Sequence, residues 1–185
     1  GHSVNPEVIL EQSAQFDFYN GGGIDIAFLG LAQVDQHGNV NVSKFAGRAV
    51  GCGGFIDISQ NATKVAFCGT FTAGGLEVRV EDGKLHIVKE GKQTKFIETV
   101  EQITFSGPYA AKVKQPVLYI TERAVFRLRS AGLELIEVAP GIDVKRDILA
   151  HMAFKPLMRN VQVMDPQLFQ AHWGQLKSLV EAAAA

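Results

Sequence analysis

Pro116-Val-Leu-Tyr-Ile-Thr-Glu-Arg-Ala-Val-Phe-Arg-Leu128 carries two apolar runs separated by one charged pair, Glu122-Arg123. A continuous apolar run of about four to eight residues is what a strand covered on both faces requires. Pro116 to Thr121 reads as one such strand, Ala124 to Leu128 as the next, and Leu133 to Val138 as a third. Upstream, Ile24 to Leu29 and Val65 to Phe71 are runs of the same kind. Helical segments are expected between and after them. These elements predict the α/β class, an open and mostly parallel sheet flanked by helices.

Between Leu76 and Phe105 the pattern changes to alternation. Leu76-Glu-Val-Arg-Val80, Leu85-His-Ile-Val88 and Phe96-Ile97 are joined by Glu81-Asp82-Gly83 and Glu90-Gly91-Lys92. One apolar face, one polar face and glycine turns predict an antiparallel β insertion, a meander over 76–105 with a solvated side. Residues 31–42 read as a hairpin, with Asp35 and Gly38 supplying the turn. Pro6 can start a short helix over Glu7 to Gln12, and Pro108 to Lys114 can form a helical turn. Asp143 is the expected cap of a helix to about Phe154, stopped by Pro156. Asp165-Pro166 opens a last helix carrying Leu168, Trp173, Leu176 and Val180. Residues 1–185 are read as one domain, without internal repeats or a low-complexity linker.

The formal net charge is −1, which gives no reason to expect nucleic acid or a membrane surface as partner. No apolar run reaches the roughly 18 residues of a membrane helix. Cys52 and Cys68 are too few for a disulfide framework and lack the C-x-x-C spacing, so no metal site is indicated. A reducing, cytoplasmic setting is the expected compartment.

Gly47-Arg-Ala-Val-Gly-Cys-Gly-Gly-Phe-Ile-Asp-Ile-Ser-Gln-Asn61 is what the strands are arranged to present. It holds four glycines within eight positions, followed by the first turns of a helix. Such a loop reaches positive φ and lets another molecule approach the backbone. Successive N–H groups aimed by it form a site for a phosphate, carboxylate or oxyanion. A tight loop ahead of a helix is the plainer reading of the same glycines. Neither phosphate-loop pattern is present. In open α/β sheets ligands bind beyond the carboxyl ends of the strands. The loops at Gly30, Gly51 to Gly54, Thr70 to Gly75 and Thr121-Glu122 are therefore expected to line one cleft.

Four motifs in register carry a family resemblance. Gly22-Gly23-Ile24-Asp25 through Leu29-Gly30, continuing into Gln33-Val34-Asp35-x-x-Gly38-Asn39-Val40-Asn41, resembles the start of the catalytic-half core of class I CoA-transferases. Gly51-Cys52-Gly53-Gly54-x-x-Asp57 is similar to their G-x-G-G-x-x-D loop. Ile120-Thr121-Glu122-Arg123-Ala124-Val125-Phe126 resembles their I-T-E-x-A-V-F strand and turn, and Glu137-x-x-x-Gly141 follows in place. The likeness spans nearly all of residues 16–160 and is strongest to the single-chain, short-chain acyl-CoA:acetate type.

The resemblance implies transfer of CoA between a short-chain acyl-CoA and a carboxylate, through a glutamyl-CoA thioester. Coenzyme A is then a substrate, and no cofactor is implied. Carried over residue by residue, Gly54 offers an oxyanion N–H, Val50 contacts CoA beside Gly53, Asn41 orients the substrate, and Glu122 is the polar residue after its strand. The family nucleophile lies in an E-x-G segment upstream of the triple glycine. Only Glu7 and Glu11 occupy that region, neither followed by glycine in that manner. The nucleophilic glutamate is therefore expected outside this chain, on a missing N-terminal half or another subunit. A homo-oligomer is also expected, with Phe16, Phe18 and Tyr19 near an exposed face.

Other readings of the same residues remain. The chain can be a non-enzymatic acyl-CoA or sugar-phosphate binding domain of this sheet type. Glu122 can be a carboxylate paired with Arg123. Cys52 as a hydrolase nucleophile lacks an identifiable base, and His37 is a lone turn histidine.

Overall fold

The computed structural model describes residues 4–170 and 180–181. Its centre is a six-stranded sheet whose order follows the sequence. The strands are β1 (Ile26–Gly30), β2 (Lys64–Cys68), β3 (Val117–Ile120), β4 (Ala124–Arg129), β5 (Gly132–Val138) and β6 (Leu157–Val163). The β1–β2, β2–β3 and β5–β6 pairings are parallel, and β3–β4 and β4–β5 are antiparallel. The expected α/β architecture is present, with the antiparallel pairings confined to the turns at Thr121–Arg123 and Ser130–Ala131.

Apolar runs became central strands where both faces are covered. Val65, Ala66 and Phe67 of β2 are all buried, as are Val117 and Tyr119 of β3. In the main core Phe71 stacks on Phe96 at 4.7 Å, and Phe96 meets Phe126 in a tilted pair at 5.0 Å between ring centroids. A second, smaller core gathers Leu85, Val125, Ala139, Met164 and Phe169. The run at Ile24 to Leu29, read as a buried strand, is instead the sheet edge, with Phe28 68% exposed. Its composition does not say whether a neighbour covers it. β6, mostly exposed and without an apolar run, went unread because its place comes from pairing with β5.

Helix α1 (Gln12–Asn20) lies later than the expected helix over Glu7 to Gln12, and it carries Phe16, Phe18 and Tyr19. Helix α2 (Phe55–Asn61) follows the glycine loop, and α3 (Gly107–Lys112) is capped by the Ser106 hydroxyl, which accepts the Tyr109 N–H. Asp143 caps its turn as expected, accepting the Arg146 N–H at 2.8 Å. The helix beyond it is not continuous. A π-helical turn over Val144–Ile148 gives way to a 3-10 turn over Leu149–His151. The Asp147 carbonyl accepts from Arg123 and so leaves the helical ladder. Asp165 caps the Gln167 N–H over a 3-10 turn, Pro166–Phe169; Trp173 and Leu176 of the expected last helix lie outside the described residues.

Within the stretch read as a meander, Glu77–Glu81 and Lys84–Lys89 form a hairpin across Asp82 and Gly83. The chain then leaves it. Gln93–Thr94 pairs with Thr72–Ala73, Phe96 bridges Val34, and Phe105 bridges Val40. Burial of Phe96 and Phe105 in the main core outweighs continued pairing on a solvated face. The hairpin expected over 31–42 is present, Gln33–Val34 pairing antiparallel with Val40–Asn41. Among the described residues no helix is long and apolar enough to cross a membrane.

Candidate active site

A charged pair inside an apolar strand must be compensated where it lands. The Thr121 hydroxyl donates to the Ala124 carbonyl at 2.9 Å and accepts the Ala124 N–H at 3.0 Å, folding the β3–β4 turn tightly. This puts Glu122 and Arg123 at the carboxyl end of β3. The Arg123 side chain is fully buried. Its Nε donates to Glu122 Oε1 at 2.6 Å, Nη1 to Glu90 Oε2 at 2.7 Å, and Nη2 to Glu90 Oε1 at 3.1 Å. Nη1 also donates to the Asp147 carbonyl at 3.0 Å, and the guanidinium carbon lies 4.9 Å from the Phe71 ring centroid. Glu122 Oε2 accepts the Phe71 N–H at 2.8 Å. The pairing of Glu122 with Arg123 is thus present, and both carboxylate oxygens are engaged.

Burial pushes the Glu90 carboxyl upward, but it is outweighed. Hydrogen bonds from Arg123, the Thr72 hydroxyl and the Gly91 N–H, together with the Arg123 charge, leave its pKa below the usual range. His151 Nε2 stands 3.6 Å from Glu90 Oε2. A depressed carboxyl contributes stability that is complete above its unfolded-state pKa and is lost as pH falls through the folded-state value. Against Glu90→Gln, the native chain's advantage in denaturant midpoint is therefore expected in full above about pH 5 and to shrink below it. An advantage unchanged down to about pH 2 would show that the Glu90 charge does not stabilise the fold.

Beside this network lies a cavity of about 460 Å³, bounded by the loops after β1 and β2 and by the segment 93–95. Leu31, Ala32, Gln33, Phe45, Gln93 and Lys95 line it, and Glu101 closes one wall. Glu101 accepts the N–H groups of Ala46 and Gly47 and the Gln33 amide, which hold its pKa down. Lys95 is only 7% exposed. Burial lowers its pKa, and the Glu122 charge opposes that shift.

The residues expected at the site fall into two groups. Asn41 is buried; its amide donates to Gln33 Oε1 and to the Lys44 carbonyl at 2.6 Å, and its Oδ1 accepts the N–H groups of Ser43 and Lys44. Asn41 therefore reaches the cavity through Gln33, while Glu122 faces Lys95 electrostatically. Val50, Gly53 and Gly54 lie outside the cavity lining, on the loop that enters α2. Val50 is 63% exposed, and Gly53 takes a φ of 53°, which favours glycine. The N–H groups of Gly53 and Gly54 have no partner among the described residues. Phe16 of α1 packs on Gly54 so closely that a Cβ there would lie 2.4 Å from its ring.

Cys52 packs against the main core and Cys68 is exposed; both are free. His37 lies by Arg129, Ser130 and Gly132, at a different cavity from the one holding Lys95. No group of three His, Cys, Asp or Glu is placed to hold a metal among the described residues. Nothing in the sequence marks Lys95, Glu90 or Glu101 as residues of one site. Their sequence neighbourhood is an ordinary polar alternation, and only the departure of 93–105 from the hairpin brings them here.

No family model matches the chain. It is 53% identical over 170 residues to acetate CoA-transferase YdiF of Escherichia coli K12, covering 91% of this chain and 32% of that one. It is 48% identical over 186 residues to caffeate CoA-transferase of Acetobacterium woodii, covering 97% of this chain and 35% of that one. The crystal structure of the E. coli O157:H7 acyl-CoA transferase YdiF, a thioester complex with CoA, superposes with a TM-score of 0.89 at 52% identity, over 92% of this chain and 33% of that one. The chain spans about one third of the length of the curated relatives it matches.

Proposed function

From a chain that is homologous over nine tenths of its length to CoA-transferases, we propose that it supplies the oxyanion and CoA-contact part of such an enzyme. The reaction moves CoA between a short-chain acyl-CoA and a small carboxylate such as acetate. A glutamate outside this chain attacks the thioester carbonyl, CoA thiolate leaves, and an acyl-glutamyl anhydride forms. The thiolate then attacks the glutamyl carbonyl and expels the carboxylate, leaving a glutamyl-CoA thioester. An acceptor carboxylate reverses the sequence. Such covalent catalysis divides one hard transfer into easier steps.

Every step passes through an oxyanion, and the observation that carries the reading is the unpartnered Gly54 N–H beside Gly53, on a loop that resembles the G-x-G-G-x-x-D loop of CoA-transferases. Exposed Val50 next to it is suited to contact CoA. Asn41 acts on the substrate through Gln33, whose amide oxygen it holds. Glu122, fixed by Arg123 and Phe71, supplies a negative field beside the cavity. Coenzyme A enters as substrate, with no separate cofactor. Exposed Phe18, Ile26 and Phe28 form an apolar edge suited to the remaining polypeptide or to a second copy. Two free cysteines fit a cytoplasmic setting.

The test is complementation. The pure chain is expected to exchange no CoA between acetyl-CoA and propionate, and exchange is expected when the first two thirds of a relative are added. Turnover by the pure chain would place the nucleophile within it. A folded, co-eluting assembly that binds CoA without transferring it would overturn the reading.

A further inference from the structure

Lys95 combines three features that ordinary buried lysines do not share. It is 7% exposed, it lines a cavity of about 460 Å³, and its ammonium has neither a hydrogen bond nor an ion pair among the described residues. A lysine ammonium carries three donors and no acceptor. Leaving all three without a protein partner on a side chain drawn largely out of water is costly, and such groups ordinarily take a partner or shed the charge.

The protein around it is built to keep the position open. Lys95 Nζ lies over Gly69, just beyond the end of β2, where an added Cβ would be only 3.0 Å away. Leu31, from the loop after β1, packs on the same glycine and shares the cavity lining. The two carboxylates nearest in function are already occupied. Glu122 is taken by Arg123 and the Phe71 N–H, and Glu101 by Ala46, Gly47 and Gln33. Neither gives Lys95 a hydrogen bond.

We infer that Lys95 is the anion anchor of this cavity, receiving the carboxylate of a small organic acid, with Leu31 and Phe45 lining space for its short apolar tail. The identity of that acid as the CoA acceptor rests on the function proposed above; the anion site itself does not. The carboxylate of Glu101 at the rim disfavours polyanionic ligands, since like charges repel.

The test uses this chain labelled with ¹³Cε-lysine, with the Lys95 resonance assigned by its loss in Lys95→Met. Acetate is expected to shift that resonance and raise its titration midpoint, because a bound anion favours the charged ammonium. Acetamide, neutral and of the same shape, is expected to do neither. Lys95→Met is expected to keep or raise the melting temperature, since an apolar side chain replaces an unpaired buried charge. In the complemented enzyme it is expected to raise KM for the acceptor acid by roughly 10–100-fold, the size of a lost charged hydrogen bond. A folded chain whose Lys95 resonance ignores acetate, or follows acetamide equally, would overturn the inference. An unchanged acceptor KM in Lys95→Met would overturn the identification of the bound acid as the CoA acceptor. An acetate response without CoA transfer would support the site and overturn the functional reading instead.

Discussion

Arg123→Met is expected to destabilise the fold by about 3–5 kcal/mol, the cost of breaking a buried ion pair from one side. The guanidinium is fully buried and serves Glu90, Glu122 and the Asp147 carbonyl together. Removing it leaves two largely buried carboxylates without their cation, and it takes the donor away from the Asp147 carbonyl. For a chain of this length the melting temperature should fall by roughly 6–20 °C. The triple variant Arg123→Met with Glu90→Gln and Glu122→Gln should recover much of that loss, because no unpaired charge then remains. Thermal unfolding of the native chain, the single variant and the triple variant decides it. If the single variant loses under about 1 kcal/mol, the network contributes no more than an exposed pair.

If Gly54 supplies an oxyanion N–H as proposed, Gly54→Pro in the complemented assembly is expected to lower kcat by on the order of 10²–10³, the effect of one lost donor. Gly54 has a φ of −85°, close to the proline range, so the missing N–H is the main change to the backbone. Phe16 complicates the comparison, because any Cβ at this position strikes its ring. Both Gly54→Pro and the Gly54→Ala control are therefore to be made in a Phe16→Ala background. There, alanine keeps the donor and should keep kcat, whereas proline should not. Equal kcat in the two, with both folded and binding CoA, would reduce the glycine loop to a tight connection before α2.

Much of this molecule was legible before any coordinates. The apolar runs at 65–68, 117–120 and 124–128 marked the middle of the sheet, because a strand covered on both faces has no polar alternation to confuse the reading. Asp82-Gly83 and Asp35 to Gly38 marked their turns, and Asp143 and Asp165 their caps, because these depend on neighbours within four residues. The order and spacing of the glycine loop, the Thr121-Glu122 turn and the Gly22 to Asn41 segment pointed to CoA-transferases, and relatives at 48–53% identity carry that name.

Tertiary structure decided what local patterns cannot encode. Phe28 and Val65 look alike in sequence, yet one lies on an exposed edge and the other inside, because coverage depends on strands nearly forty residues away. The segment after Asp143 is a π-helical turn and then a 3-10 turn, and its Asp147 carbonyl accepts from Arg123, a residue more than twenty positions upstream. Lys95 and Glu90 join the site because Phe96 and Phe105 draw the chain out of the hairpin and into the main core. Hydrophobic burial is non-directional and strong, so it places whole segments. Charges that travel with those segments take their partners, or lack them, according to where the core has put the backbone.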